Sequence, residues 1–222
     1  MKIVAFIPVK LSNERFEGKN TKPFYDGRPL ISFIMESLRK LHRLDEIYVY
    51  CSQEIISNYL SSGIYFLKRP DYLDLPSTTP QDIICEFMKQ VDADIYMVSH
   101  TTSPMVSVES LQACIDAVAS GEFDSAFTAR KLQHLLWTDK KEPVNFDSTN
   151  IPRTQDLPPL FAEVSAAYVF TKELYKKEKC RIGGNIKIVE VSEIESIDID
   201  YEESYRMADA IYRYMCEGKK SL

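Results

Sequence analysis

Four cationic side chains lie in one short segment near the start of the chain, IPVKLSNERFEGKNTKPF, which begins at residue 7. They are Lys10, Arg15, Lys19 and Lys22, and they follow an apolar run typical of a strand. In a parallel α/β sheet, ligands bind outside the carboxyl ends of the strands, where backbone amides and cations can hold phosphate oxygens. The segment therefore predicts a triphosphate-binding loop. The alternative is a solvated surface turn, because Lys and Arg are mostly exposed.

The loop matches neither of two common phosphate-binding patterns. It contains no G-x-x-x-x-G-K-[ST] and no G-x-G-x-x-G. These absences argue against a P-loop ATPase and against a dinucleotide-dependent dehydrogenase.

Two carboxylates near the other end of the chain could supply a metal site. Asp198 and Asp200 stand at alternate positions of ESIDIDYEES, and alternate residues of an extended segment project to the same side. Mg²⁺ is commonly held by one or two carboxylates, while phosphate oxygens and water complete its octahedron. The pair therefore predicts a magnesium site. The alternative is that Asp200 caps a helix beginning near Tyr201, with Glu203 completing a capping box.

These residues need a scaffold, and the apolar pattern predicts a parallel α/β sheet covered by helices. Near-continuous apolar runs, typical of strands covered on both faces, occur in KIVAFIP, EIYVYC, DIYMVS and DSAFTA. Amphipathic helices are predicted in PLISFIMESLRKL, STTPQDIICEFMKQV and SVESLQACIDAVAS. Pro29 suits the first turn of the first helix, and Ser77, Thr78 or Thr79 would cap the second. AAYVF, IKIVEV and YEESYRMADAIYRYMCE are expected to close the sheet.

The pattern lapses from residue 131 to residue 159. This stretch is polar, contains four of the eleven prolines and has no sustained helix or strand period. Such an insertion is usually a lid or an arm that reaches a partner. Leu132, Leu135, Leu136 and Trp137 lie in this otherwise polar stretch and need a surface on which to be buried. We predict one domain over residues 1–222 that carries an insertion at 131–159.

Charge and composition exclude several functions. A net charge of −6 over 222 residues argues against general nucleic-acid binding, which needs a broad basic face. Five cysteines without a C-x-x-C pair and only three histidines argue against a zinc cage and favour buried free thiols. The start of the chain has too short an apolar run for a signal peptide, and no run approaches the roughly 20 apolar residues of a spanning helix. We expect a cytoplasmic protein with neither a nucleic-acid nor a membrane partner.

Five segments, taken in order, resemble motifs of the acylneuraminate cytidylyltransferase family. IPVKLSNERFEGKN resembles the nucleotide-binding loop I-P-A-R-x-G-S-K-R-x-P-G-K-N, and RPDYLD resembles the R-P-x-x-L segment. HTTSP is similar to the Q-P-T-S-P turn, and IPRTQDLPPLFAEVSAAYVF to the R-x-Q-x-L-P…N-G-A-x-Y-I stretch. SIDID matches the metal motif of the family.

This resemblance implies a Rossmann-like three-layer α/β/α nucleotidyltransferase with a mostly parallel sheet. It implies a Mg²⁺-dependent enzyme that joins CMP from CTP to the anomeric hydroxyl of a 2-keto sugar acid, such as a sialic-acid-like nonulosonic acid, and releases pyrophosphate. The family also dimerises through an insertion at this point of the chain. The resemblance therefore favours a dimerisation arm over a lid at residues 131–159.

The resemblance also implies roles for individual residues. Catalysis would depend on Lys10, Arg15, Lys19, Asp198 and Asp200, the two aspartates holding the metal. The implied nucleotide-binding set is Pro8, Val9, Lys10, Lys19, Asn20, Arg69, Ser77, Thr78 and Thr79, with Arg69 approaching the cytosine. The implied acceptor set is His100, Thr101, Arg153 and Gln155, with Arg153 forming a bidentate fork on the acceptor's carboxylate. The alternatives are a buried structural role for His100 and a surface position for Arg153 beside Asp156.

Several departures from the family pattern leave the acceptor open. Lys10 stands where arginine is usual, Leu11 where a small residue is usual, and His100 where glutamine is usual. EVS, which includes Val164, replaces the segment with the family's Asn-Gly. Related enzymes activate 3-deoxy-octulosonic, pseudaminic and legionaminic acids, and either aspartate could serve as the general base.

Two other functional classes share features with this one. A nucleotidyltransferase for a sugar phosphate or alditol phosphate is disfavoured by PRTQD, because such acceptors lack the carboxylate. A non-catalytic nucleotide-binding relative is disfavoured by the aspartate pair and the loop lysines.

Overall fold

The computed structural model describes residues 1–218, and its centre is a seven-stranded sheet. The strands are β1 (Ile3–Val9), β2 (Glu46–Cys51), β3 (Tyr65–Lys68), β4 (Ile95–Val98), β5 (Ser125–Leu132), β6 (Leu160–Thr171) and β7 (Ile186–Val191). Their order across the sheet is β3-β2-β1-β4-β6-β5-β7. The pairings are parallel except for those of β6, which runs antiparallel to both β4 and β5. The sheet is therefore mostly parallel, as expected, with one reversed strand.

Helices cover both faces of this sheet. The α-helices within residues 1–218 are α1 (Leu30–Leu38), α2 (Pro80–Gln90), α3 (Val108–Ala119), α4 (Lys172–Glu178) and α5 (Glu202–Gly218). Successive residues of a strand point to opposite faces. Ala5 and Ile7 of β1 accordingly belong to a core shared with α1 and α3, whereas Val4 and Phe6 belong to a core shared with α2 and α4. These two cores make the three layers α/β/α.

A third apolar cluster joins α5 to α1 and to the segment after β1. Phe24 packs against Phe33 of α1 and Tyr205 of α5, with ring centroids 4.5 and 5.1 Å apart. Ile197 and Ile199 are buried in the same cluster. Fully burying such side chains contributes about 1.5–3 kcal/mol each. This packing places the chain around Asp198 beside the loop that follows β1.

Most of the predicted elements are present, with local differences. Thr79 is the cap of α2: its hydroxyl accepts from the backbone of Asp82, whose carboxylate accepts from Thr79 N–H. Pro29 occupies the N-cap of α1, one position before the predicted first turn. The patterns did not predict β3 or α4. The expectation of buried thiols is wrong for Cys85, which is exposed.

The insertion leaves and re-enters the sheet at one point. Leu132 at the end of β5 pairs with Leu160 at the start of β6. Between them lie a short 3₁₀ turn at Thr154–Asp156 and two isolated bridges, of which one joins Trp137 to Pro143. Within residues 1–218, no helix combines the length and apolar character needed to cross a membrane.

Candidate nucleotide-binding site

The carboxyl ends of the parallel strands meet at one edge of the sheet, and the predicted site residues are placed there. Lys10 follows β1, Arg69 follows β3, His100 comes two residues after β4, and Asp198 and Asp200 follow β7. The insertion also emerges at this edge, because β5 runs parallel to β7. Ligands of open α/β sheets bind at this edge. The fold thus places the cationic loop near the start of the chain beside the two aspartates near its end.

The loop after β1 is fixed by a buried asparagine. Asn20 lies in a 3₁₀ turn that Gly18 introduces with a left-handed φ of 66°, a conformation that favours glycine. Its Nδ2 donates to the backbone oxygen of Lys10 at 2.8 Å, and its Oδ1 accepts from Thr101 Oγ1 at 2.6 Å. Asn20 therefore closes the loop on itself and joins it to the end of β4.

Asp200 pairs with two cations of this loop. Arg15 Nη1 donates to Oδ2 at 2.8 Å, and Lys19 Nζ lies 3.3 Å from Oδ1. Lys19 also donates to the backbone oxygen of Ile199 at 2.8 Å, and its side chain is 11% exposed. Both oxygens of the Asp200 carboxylate thus face cations.

The alternative role of Asp200 as a helix cap is wrong. At the start of α5, Ser204 Oγ accepts from the backbone N–H groups of Asp200 and Tyr201 instead, at 3.2 and 3.1 Å. Ser204, and not Glu203, is therefore the side chain that reaches back to accept from the backbone before α5. The carboxylate of Asp200 is left for the cations of the loop.

Asp198 lies in a different electrostatic environment from Asp200. Desolvation in the cleft raises the pKa of the Asp198 carboxyl, and the charge of Asp200 raises it further. A hydrogen bond from Thr102 and the charges of Lys19 and Arg15 act in the opposite direction. The two carboxylates line the same cavity, and their mutual repulsion disfavours the charged form of Asp198.

The cleft consists of two adjoining cavities. The larger, about 430 Å³, is lined by the cationic loop on one side and by Arg69, Leu73, Leu75, Pro76 and Thr78 on the other. The smaller, about 300 Å³, is lined by Asn20, Thr101, Thr102, Ser165, Asp198 and several residues of the larger cavity. Pro8, Lys10, Asn13, Lys19, His100 and Asp200 line both. The arrangement provides one cationic, partly apolar chamber and one polar chamber with both carboxylates.

His100 stands where the two cavities meet. Burial and the charges of Arg181 and Lys19 lower the pKa of its imidazole to about 4. Its ring meets that of Tyr168 edge-on, with centroids 6.3 Å apart, and the guanidinium carbon of Arg181 lies 3.5 Å from the Tyr168 ring centroid. His100 is therefore neutral near pH 7 and offers one hydrogen-bond donor and one acceptor to a ligand.

Some predicted site residues lie elsewhere among the residues that the structure describes. Val9 is buried in the core, Ser77 lines a neighbouring groove, and Thr79 caps α2. Arg153 is 73% exposed and pairs with Asp156, as in the alternative interpretation. Gln155 is exposed beside it, and its backbone oxygen accepts from Gln133. These five are not brought to the cleft in this conformation.

Other residues of the site were missed by the motifs. Asn13 and Ser165 line the cleft, and Thr102 both bonds Asp198 and accepts from Ile199 N–H at 2.8 Å. Thr102 lies within HTTSP, so its neighbourhood was a usable signal. Asn13 lies within the cationic loop and Ser165 within EVS, so both segments were usable signals although neither residue was singled out.

Glu195 fixes the segment that carries the aspartates. Its carboxylate accepts from Ser107 Oγ at 2.5 Å and Ser110 Oγ at 2.7 Å, at the start of α3, and from Ser192 Oγ at 2.9 Å. Desolvation acts to raise the pKa of Glu195, but these hydrogen bonds and those from backbone N–H groups lower it to about 2. The carboxylate is thus held as an anion, three residues before Asp198.

The two aspartates fit a magnesium ion in ligand type. Within the described part of the chain, no group of three or more His, Cys, Asp or Glu side chains could hold a metal alone. A metal at Asp198 and Asp200 would therefore take its other ligands from phosphate and water, as Mg²⁺ commonly does. Bound there, it would also relieve the repulsion between the carboxylates.

The fold and the cleft together define an enzyme class, the α/β nucleotidyltransferases. A family model described as cytidylyltransferase matches residues 4–214. The chain belongs to the cytidylyltransferase family, which confirms the resemblance drawn from the motifs.

The chain is similar to curated proteins named N-acylneuraminate cytidylyltransferase. It is 24% identical over 216 residues to that of Oncorhynchus mykiss, covering 93% of this chain and 49% of the relative. It is 22% identical over 215 residues to that of Streptococcus agalactiae serotype V, covering 92% and 52%. The chain therefore spans about half the length of the curated relatives it matches.

Solved structures agree with the fold. A CMP:2-keto-3-deoxy-manno-octonic acid synthetase in complex with CTP superposes with a TM-score of 0.72 at 16% identity, covering 97% of this chain and 100% of that one. The 4-diphosphocytidyl-2C-methyl-D-erythritol synthase of Anaerococcus prevotii superposes with a TM-score of 0.68 at 16% identity, covering 96% of both chains. This likeness establishes the three-layer fold.

Proposed function

We propose that this protein transfers CMP from CTP to the anomeric hydroxyl of a 2-keto sugar acid of the sialic-acid-like, nonulosonic kind, releasing pyrophosphate. The observation that carries the proposal is the pairing of Arg15 and Lys19 with Asp200, beside Asp198, at the junction of the two cavities. Membership of the cytidylyltransferase family supports the nucleotide. The N-acylneuraminate relatives and the keto-octonic acid synthetase support a sugar acid as acceptor.

In this reaction the anomeric oxygen of the acceptor bonds to the α-phosphorus of CTP, and the bond from that phosphorus to pyrophosphate breaks. Both reactants are anions, so neutralising charge is the main catalytic task. Lys10, Arg15 and Lys19 line the larger cavity, where they would lie against the triphosphate. Because Lys19 is mostly buried, its charge is screened less than that of a surface lysine. Either Asp198 or Asp200 could accept the hydroxyl proton.

We propose Mg²⁺ as the cofactor, held by Asp198 and Asp200. When bound, it would supply positive charge to the phosphate oxygens and favour attack by the hydroxyl. Asp200 would then exchange at least part of its pairing with Arg15 and Lys19 for the metal, and the released cations would be free to bind phosphate.

The acceptor would occupy the smaller cavity. His100 and Thr101 lie on its walls, and the neutral imidazole can bond sugar hydroxyls without adding charge. Arg153 lies outside both cavities in this conformation. Its role at the acceptor's carboxylate stays a prediction that requires movement of the insertion or contact across a dimer.

A homodimer joined by residues 131–159, working in the cytoplasm, is part of the proposal. Exposed apolar residues of the insertion support an interface: Trp137 is 56% exposed and meets Phe146 edge-on, while Val144 and Ile151 are also exposed. A single-chain lid over the cleft is the rival, because the insertion emerges at the same sheet edge.

Pyrophosphate release decides the function. Purified protein with Mg²⁺ would be assayed with CTP against N-acylneuraminate, 3-deoxy-octulosonate and 2C-methyl-erythritol 4-phosphate, with UTP, ATP and GTP as nucleotide controls. We expect release that needs both CTP and a sugar acid. Release only with 2C-methyl-erythritol 4-phosphate would favour the alditol phosphate class, which the second solved structure represents. No release with any acceptor, despite CTP binding, would favour the non-catalytic relative.

A further inference from the structure

We propose that Asp74 and Ser52 are positioning residues that fix the guanidinium of Arg69 toward the pyrimidine ring, and that they thereby set the preference for CTP over UTP. This inference rests on the proposed function, because it takes CTP as the nucleotide. It concerns residues that follow β2 and β3, which lie side by side in the sheet.

Arg69 is held from two directions. Its side chain is 2% exposed, its Nη2 donates to Oδ1 of Asp74, and its backbone N–H donates to the oxygen of Cys51 at 2.9 Å. The second oxygen of Asp74 accepts from Ser52 Oγ at 2.5 Å. Ser52 itself is buried. Each carboxylate oxygen therefore has its own donor, and charge-assisted bonds of this kind set the orientation of the guanidinium plane.

Most guanidinium donors of Arg69 are left over, because a guanidinium carries five N–H groups and the bond from Nη2 to Asp74 uses one of them. Its Nε is buried and lacks a hydrogen-bond partner. Among the buried side-chain nitrogen and oxygen atoms of the described residues, Ser103 Oγ is the one other atom without a partner. An acceptor that a ligand brings to the part of Arg69 lining the larger cavity would bond one of the guanidinium N–H groups that Asp74 does not engage. Arg69 lines the larger cavity beside Leu73 and Leu75, across from the cationic loop. A nucleotide with its phosphates at that loop would place its base against this wall.

The hydrogen-bonding groups of the two pyrimidines explain why a fixed N–H donor of Arg69 would distinguish cytosine from uracil. Cytosine carries acceptors at O2 and N3, whereas uracil carries an N–H at position 3. A donor held toward that edge bonds cytosine and opposes the N–H of uracil. A guanidinium free to rotate could turn another N–H toward a uracil oxygen. Discrimination thus depends on the residues that restrain Arg69, since a site built around one hydrogen bond rejects the analogue that cannot make it.

Titration calorimetry with Mg²⁺ present would test the proposal, using CTP, UTP and inorganic tripolyphosphate on each variant. We expect Asp74→Asn to weaken CTP binding by about tenfold or more, the loss of one charge-assisted hydrogen bond. The CTP-to-UTP affinity ratio should move toward one, while tripolyphosphate affinity stays unchanged. Ser52→Ala should move the ratio in the same direction by less. Asp71→Asn, which removes an exposed carboxylate three residues earlier, should change none of these values.

Other outcomes would overturn the inference, with Ser52→Ala as the deciding variant where Asp74→Asn does not fold. If Asp74→Asn weakens all three ligands equally, the residue only supports the structure of the cleft. If Asp74→Asn unfolds the protein, Ser52→Ala decides, because it removes a single hydroxyl; an unchanged ratio in that variant rejects the positioning role. A wild type that binds CTP no better than tripolyphosphate rejects the proposed function and this inference together. A wild type that prefers CTP, with variants that keep the preference, rejects this inference alone.

Discussion

Arg15 donates a 2.8 Å hydrogen bond to Asp200, joining residues 185 positions apart in the chain. Lys19 faces the other oxygen of the same carboxylate. The Arg15–Asp200 pair is partly exposed, so it contributes only about 0–1 kcal/mol to stability. The pair matters because it joins the cationic loop to the segment that carries Asp198 and Asp200.

Asp200→Asn should therefore affect catalysis more than folding. We expect turnover to fall by about 100-fold or more, because a carboxylate charge is lost from the proposed metal site. The melting temperature should change little. Pyrophosphate release and thermal unfolding measure the two effects separately. Glu202→Gln is the matched control, since that exposed carboxylate pairs only with Arg206 on α5 in the described structure. Retained turnover with a large loss of stability would make Asp200 a structural residue.

Glu195→Gln should destabilise the protein by about 1.5–3 kcal/mol, the usual scale for a hydrogen bond to a charged group. The folded pKa of Glu195 is about 2, below its ordinary 4.5, so the unfolded state binds more protons between these values. The contribution of Glu195 is complete above about pH 4.5 and is lost as the pH falls toward 2. Urea unfolding across this range would show it, and the variant should lose that pH dependence.

Glu193→Gln, two residues earlier and exposed, provides the control for Glu195. It should leave both the unfolding free energy and its pH dependence unchanged. Equal behaviour of the two variants would mean that the serine hydroxyls at the start of α3 do not stabilise the Glu195 carboxylate.

His100 should titrate near pH 4 in a proton NMR experiment, below its ordinary pKa of 6.5. The folded state then binds fewer protons than the unfolded state between these values, so stability is complete above about pH 6.5 and decreases as the pH falls. The slope is at most about 1.4 kcal/mol per pH unit. Arg181→Gln should raise the pKa of His100 by removing a nearby charge. The exposed Arg206→Gln should not, and a midpoint near 6.5 in the wild type would contradict the burial of this ring.

Trp137→Ala should weaken the proposed dimer. Truncating a large aromatic at an interface centre can cost about 2 kcal/mol or more, roughly thirtyfold in affinity. Sedimentation at micromolar protein would measure it, with Tyr214→Ala as a control because that exposed aromatic lies outside the insertion. A monomeric wild type, or a variant as firmly dimeric as wild type, would leave the lid as the better account.

Sequence patterns predicted the parts of this fold that depend on local or periodic signals. The near-continuous apolar runs predicted β1, β2, β4 and β5. The cationic loop predicted that the cleft lies at the carboxyl ends of the parallel strands. The reversal of β6 was not predictable from AAYVF, because burial on both faces does not reveal direction. The four-residue β3 and the polar α4 were too short or too hydrophilic to produce a period.

Sequence patterns likewise could not predict the long-range polar contacts. Ser52 and Asp74 are 22 positions apart, and Glu195 contacts Ser107 across 88. Neither pair follows a spacing that a helix or strand imposes. By contrast, Arg153 and Asp156 are only three positions apart, and the sequence predicted their pairing as one of two alternatives.

The pairing of the two ends of the insertion also affects how the length of this segment can change during evolution. Leu132 and Leu160 are neighbours in the ladder, so residues can be added or deleted between them without shifting the register of any strand. The same edge carries the cleft. Variation in acceptor size among descendants could therefore accumulate in this one segment while the catalytic scaffold is inherited unchanged.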